Sequence, residues 1–174
     1  MIKRVFSFLF LVSLQLFASQ YNSTVLELEA KLYPKIILMN QDIDKNSQQL
    51  KIYIISEKID FNRAQELQRA IYSFYPDTIM GKKIIIKIKE FQEVYKKPDA
   101  LIVLYHPQEE LQKIAQWANN KKIISLAYDP SYMDKGILAS LYIGKSTKPY
   151  LNKKMIKKYN FIFNPYLLEL SKFK

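Results

Sequence analysis

The chain has 174 residues, 49% hydrophobic and 14% aromatic, with 27 Lys+Arg against 16 Asp+Glu, one His and no Cys. That size and apolar content suit one domain with a proper core and exclude a disordered chain. Three glycines are too few for a Gly-rich phosphate cradle, and without thiols there is no Cys/His zinc site, Cys-ligated iron–sulfur cluster, c-type haem attachment or cysteine nucleophile.

The N-terminus sets Lys3 and Arg4 before an apolar run from Val5 to Phe17 and the small pair Ala18-Ser19. This is the charge, apolar stretch and small-residue exit of a secretory signal peptide. The run is too short for a spanning helix, which needs about 20 predominantly apolar residues. Residues 1–18 are therefore expected to be cleaved, leaving 19–174 as a single domain in the periplasm; an uncleaved anchor or a buried first helix is the alternative. The excess positive charge is C-terminal: residues 145–174 hold eight lysines against Glu169 alone.

Thr24 to Met39 has apolar residues at helical spacing, with Pro34 expected to kink the helix or to lie in a loop leading away. Leu50 to Ile55 reads as a strand. Asp60 reads as the N-cap of a helix with Phe61, Ala64, Leu67, Ile71 and Phe74 on its apolar face. Lys83 to Ile88 is a strand near a sheet edge, and Asp99 to Tyr105, apolar on both faces, is a central one. A helix follows at His106-Pro107, with Glu109 and Glu110 in its first turn against the positive dipole end. Ile123 to Ala127 is the next strand. Beyond the turn at Asp129-Pro130-Ser131, a strand from Ile137 to Ile143 places Ile137, Ala139, Leu141 and Ile143 on one face and returns through Gly144 to a short strand at Pro149 to Leu151. Asn152 and Asn164 are expected to cap two closing helices. Alternating strands and helices predict a Rossmann-like α/β three-layer sandwich with a mostly parallel sheet and an antiparallel strand or hairpin near the C-terminus.

The segment from Gly136 to Ile143, the stretch Lys148-Pro149-Tyr150-Leu151-Asn152 and the ending from Phe163 to Lys172 resemble the YfiR/HmsC-like family of small exported proteins. The resemblance implies a Rossmann-like fold, a periplasmic location and a non-catalytic role. The protein would bind the extracytoplasmic part of an inner-membrane signalling protein, such as a diguanylate cyclase or sensor kinase, and control its activity. The matching residues carry structure: Gly136 opens a strand, Asn152 caps a helix, and Leu167, Leu168 and Leu170 pack the last one. Relatives with disulfides have no counterpart here, since the chain lacks cysteine.

Two regions are candidate contact sites. Lys153, Lys154, Lys157 and Lys158 form two like-charge i,i+4 pairs, each costing about 0.2–0.5 kcal/mol in an isolated helix. An acidic protein face or an anionic membrane surface would relieve that repulsion, and a solvated face is the plain alternative. Tyr105, His106, Tyr128 and Asp129 follow two adjacent strands at their carboxyl ends, where open parallel sheets bind ligands; the alternative there is a capping histidine and core tyrosines. A periplasmic solute-binding or transport-auxiliary module using that pocket is the second functional reading. An enzyme is third, because a Ser-His-Asp triad would need His106 and no G-x-S-x-G elbow presents a serine. A carboxylate option would draw a general acid/base pair from Glu109, Glu110, Asp129 or Asp134, although Glu109 and Glu110 point about 100° apart on a helix and do not pair by themselves. No cofactor and no nucleic acid is expected, and a second copy of the chain is a further candidate partner.

Overall fold

The computed structural model describes residues 23–104 and 107–174. A first helix, α1, occupies residues 23–38. Leu26, Ala30, Tyr33 and Ile37 make its buried stripe, at spacings of three and four. The helix runs through Pro34, which overturns the expected option of a loop leading away. The absent N–H there forfeits one hydrogen bond, and the burial of the flanking residues keeps the helix whole.

One sheet joins the remaining elements in the order β2-β3-β1-β4-β5-β6-β7-β8. Its parallel centre comprises β1 (Gln49–Ile55), β3 (Lys82–Lys89), β4 (Ala100–Val103), β5 (Ile124–Ala127) and β6 (Ala139–Ile143). Every residue of β4 and β5 is buried, as apolar runs covered on both faces require. On β1, Ile52 and Ile54 face a core shared with α1 and α2 (Phe61–Phe74), while Tyr53 and Ile55 face a smaller core formed with α3 (Gln108–Asn120). The period of two along the strand thus places the two crossover helices on opposite faces. Like the expected fold, this is a Rossmann-like α/β sandwich.

Antiparallel pairing occurs at both margins. β7 (Thr147–Leu151) returns beside β6, as expected. β2 (Thr78–Ile79) pairs antiparallel with β3, and β8 (Lys172–Phe173) pairs parallel with β7; neither was foreseen. Met80 (φ 48°) and Gly81 (φ 78°) make the tight β2–β3 connection with left-handed backbone at both positions. Tight hairpin turns favour that backbone, although methionine is a poor residue for it. Met80 is exposed, so Met80→Asn is expected to raise the unfolding free energy by an amount on the order of 0.5 kcal/mol, read as a higher denaturant midpoint.

Several local expectations need correction. Asp60 occupies the N-cap position of α2 but makes no side-chain cap bond, because a 3-10 turn over Lys58–Asp60 leads into the helix. Phe61, Phe74 and Ile143 are exposed rather than core-facing. They stand at the ends of their elements, where apolar periodicity no longer reports contact with the sheet. The capping asparagines act as expected: Asn152 accepts from Met155 N (3.2 Å) at α4 (Lys153–Tyr159), and Asn164 accepts from Tyr166 N (2.9 Å) at α5 (Pro165–Leu170). No helix among the described residues is long and apolar enough to cross a membrane.

Candidate functional site

The strand order turns around β1: the chain goes to β3 on one side and comes back to β4 on the other. Ligands in such sheets bind outside the carboxyl ends of strands. A cavity of about 500 Å³ opens there, over the ends of β5 and β6 rather than between β1 and β4. Val25 and Glu29 of α1, Arg63 of α2, and Tyr128, Asp129 and Pro130 after β5 form one part of the wall. The rest comes from Tyr132, from Leu141 to Ile143 and from Tyr150.

Glu29 is the unusual group. It lies within the apolar stripe of α1, three residues after Leu26 and four before Tyr33, and is 1% exposed. Its Oε1 is 3.0 Å from Tyr33 Oη, while Oε2 is buried without a hydrogen-bond partner among the described residues. Burial pushes the carboxyl well above the usual carboxylate range; the Tyr33 contact and the Arg63 charge oppose this without cancelling it. Tyr33 Oη also lies 2.5 Å from Ala127 O, which accepts from Ser140 Oγ at 2.8 Å. One phenolic proton cannot serve both acceptors fully. Tyr33 Oη can donate to Glu29 Oε1 or to the Ala127 carbonyl, and it is burial that favours the neutral acid. Tyr33 is itself fully buried, and burial followed by the neighbouring Glu29 drives its phenol well above the ordinary value.

Arg63 donates from Nη2 to Tyr128 Oη (2.9 Å), with its Cζ 4.3 Å from the centre of the Tyr128 ring. The aromatic plane and the phenol together restrain the guanidinium. Asp129 accepts from Ser131 N (2.8 Å) and so starts the 3-10 turn over Pro130–Lys135. Across the cavity, Tyr142 and Tyr150 meet edge to face with centroids 6.1 Å apart, and Lys172 Nζ sits 3.6 Å from the Tyr142 ring centre. A Cβ on Gly144 would come within 2.8 Å of Tyr142 Cε1. Gly144→Ala is therefore expected to displace that ring, changing the near-ultraviolet circular dichroism while stability falls by about 1 kcal/mol or less.

Of the residues singled out in the sequence, Tyr128 and Asp129 line this cavity together. Tyr105 and His106 lie outside the described residues, as does the segment 1–18. Lys153, Lys154, Lys157 and Lys158 are exposed on α4, line no part of this cavity, and take part in no ion pair among the described residues. Glu109 and Glu110 stay in the first turn of α3. Sequence reasoning missed Glu29, Arg63, Tyr142 and Tyr150. Glu29 had left a signal, an acid inside an apolar helical stripe, and Arg63 is one of only three arginines in a lysine-rich chain.

A second recess of about 520 Å³ adjoins the start of α3 and shares Asp129 and Tyr132, but its acids are exposed. Among the described residues, no three His, Cys, Asp or Glu side chains cluster as a metal site would require.

No protein-family model matches the chain, and no curated protein is similar to it in sequence. Solved structures share its fold. A conserved domain protein from Vibrio cholerae O1 biovar El Tor is 14% identical over 86% of this chain and 60% of its own, with a TM-score of 0.57. A substrate-binding protein with adhesive properties from Clostridium difficile, in its ligand-free open form, is 14% identical over 72% of this chain and 54% of its own, with a TM-score of 0.54. A Streptococcus pneumoniae ABC domain in complex with L-Trp is 12% identical over 87% of this chain and 61% of its own, with a TM-score of 0.52. The chain thus spans somewhat over half the length of these structures.

Proposed function

We propose that the protein is a non-catalytic binding module, exported to the periplasm, whose cavity at the carboxyl ends of β5 and β6 receives a small solute. The observation that carries this reading is Glu29, which lines an open cavity and whose buried Oε2 has no hydrogen-bond partner among the described residues. An orphaned buried acceptor is costly, and a ligand donor would satisfy it. Two of the structural neighbours, described as substrate-binding and as holding L-Trp, support a solute-binding role by analogy of fold. A melting-temperature screen of the mature chain against amino acids, sugars, nucleosides and organic acids tests it. At least one solute is expected to raise the midpoint by several degrees, and a screen in which none does would count against the reading.

The α4 lysines favour a second reading, in which the protein controls an inner-membrane signalling protein, as the YfiR/HmsC-like resemblance implies, with links to cyclic-di-GMP signalling. Four exposed ammonium groups on one short helix, with no ion pair among the described residues, suit an acidic partner surface. Capture of a membrane cyclase or kinase by tagged mature protein, weakened by salt and by Lys153→Glu with Lys157→Glu, would support it. Recovery of no such protein at any salt concentration would argue against it.

A further inference from the structure

We propose that the cavity is built for a small zwitterion, an α-amino acid or a close analogue, whose ammonium is taken by Glu29 and whose carboxylate is taken by Arg63. This rests on the solute-binding reading and names the ligand class for the same site.

Charge is the first argument. Two acids, Glu29 and Asp129, and one guanidinium, Arg63, line the same cavity. A simple anion would meet two acids and a simple cation would meet a guanidinium, whereas a zwitterion can present the complementary charge to each. The second argument is unspent bonding capacity. Glu29 Oε2 has no partner among the described residues, and the contact to Tyr128 occupies only one of the five N–H groups of Arg63. The stacked guanidinium is restrained in a way that suits two parallel bonds to a carboxylate. The third is the rest of the wall. Leu141, Val25 and the Tyr142–Tyr150 pair offer apolar and aromatic surface for a compact side chain. Phosphorylated ligands fit poorly, because one guanidinium faces two acids and no glycine-rich loop is present.

A consequence for protons follows. Burial favours the protonated form of Glu29 in the free protein. An arriving ammonium stabilises the carboxylate, so binding releases that proton to solvent. The groups facing Glu29 are Tyr33 on its own helix, Arg63 from α2, Tyr128 and the Ala127 carbonyl from the end of β5, Ser140 of β6 behind Tyr33, and Asp129 in the wall. None of these replaces Glu29 as the proton donor: burial and the neighbouring Glu29 hold the Tyr33 phenol well above its ordinary value, and Asp129 is exposed.

The test is isothermal titration calorimetry of the mature wild-type chain with each standard L-amino acid, in two buffers of different ionisation enthalpy. For any binder, the matched amine lacking the carboxylate and the matched acid lacking the amine are titrated as well. At least one amino acid is expected to bind, with both truncated analogues about ten- to a hundredfold weaker. Up to one proton should be released, and affinity should rise with pH until Glu29 is ionised in the free protein. Glu29→Gln should abolish the proton release, and Arg63→Gln should erase the preference for the amino acid over its amine. Equal binding of either truncated analogue, or binding without proton release, would overturn the proposal. So would a screen in which sugars or nucleosides bind and no amino acid does, although solute binding itself would stand. If no solute of any class binds, the solute-binding reading fails together with the proposal.

Discussion

Glu29→Gln is expected to make the unliganded protein more stable at neutral pH. An unfolded glutamate titrates near pH 4.3, whereas Glu29 in the fold is raised well above that by burial. Between those values the folded state holds a proton that the unfolded state has released. The contribution of Glu29 is therefore fully present below about pH 4.3 and is lost as pH rises through the folded value. Each unit of displacement is worth about 1.4 kcal/mol. Glutamine has nearly the same shape, can accept from Tyr33 Oη through its amide oxygen, and does not titrate. Melting curves of the two proteins should then coincide in acid and separate as pH rises, the variant melting about 2–4 °C higher per kcal/mol recovered. Parallel curves across the whole range would show that Glu29 does not titrate in the fold as described. Stability given up at a carboxyl whose second oxygen has no partner among the described residues is the pattern expected of a site kept for a ligand.

Asn152→Ala should have the largest effect on folding. Asn152 is buried; its Nδ2 donates to Met133 O (2.9 Å) and Ile137 O (3.2 Å) while its Oδ1 caps α4 at Met155 N. One side chain thus ties the 3-10 turn after β5, the entry to β6 and the start of α4. Alanine removes the cap, worth about 1 kcal/mol, and leaves two buried carbonyls without these donors, for a total loss of about 2–4 kcal/mol. Chemical denaturation would show this as a lower midpoint at unchanged slope. Asn152→Asp, which keeps the cap acceptor and loses both donors, should fall between the two. Neither change touches the cavity, so ligand affinity per folded molecule should be preserved.

Much of this architecture was legible in the residues. The doubly apolar run at 100–103 pointed to an interior parallel strand, the run at 123–127 to the next strand, and Asn152 and Asn164 stood where helix caps were needed. The margins were not legible, for physical reasons. β2 and β8 have two residues each, too short for alternation to register, and Met80-Gly81 is a tight turn without the usual asparagine or aspartate. Pro34 pointed to a kink or to a loop leading away, and packing overrides the loop. The cavity was half legible. Tyr128 and Asp129 follow from the rule that ligands sit beyond strand ends, but Glu29, Arg63 and Tyr142 come from elements far apart in the chain, and only the fold brings them together. Glu29 was hidden because an acid on an apolar stripe has meaning only once its burial is known.

The most direct test of solute binding at this cavity is a heteronuclear NMR titration of the isotope-labelled mature chain with the best solute from the melting screen. Saturable shifts should centre on Glu29, Arg63, Tyr128 and Tyr142 and leave the lysines of α4 unmoved. Saturable shifts centred on α4, with the cavity residues silent, would contradict the account.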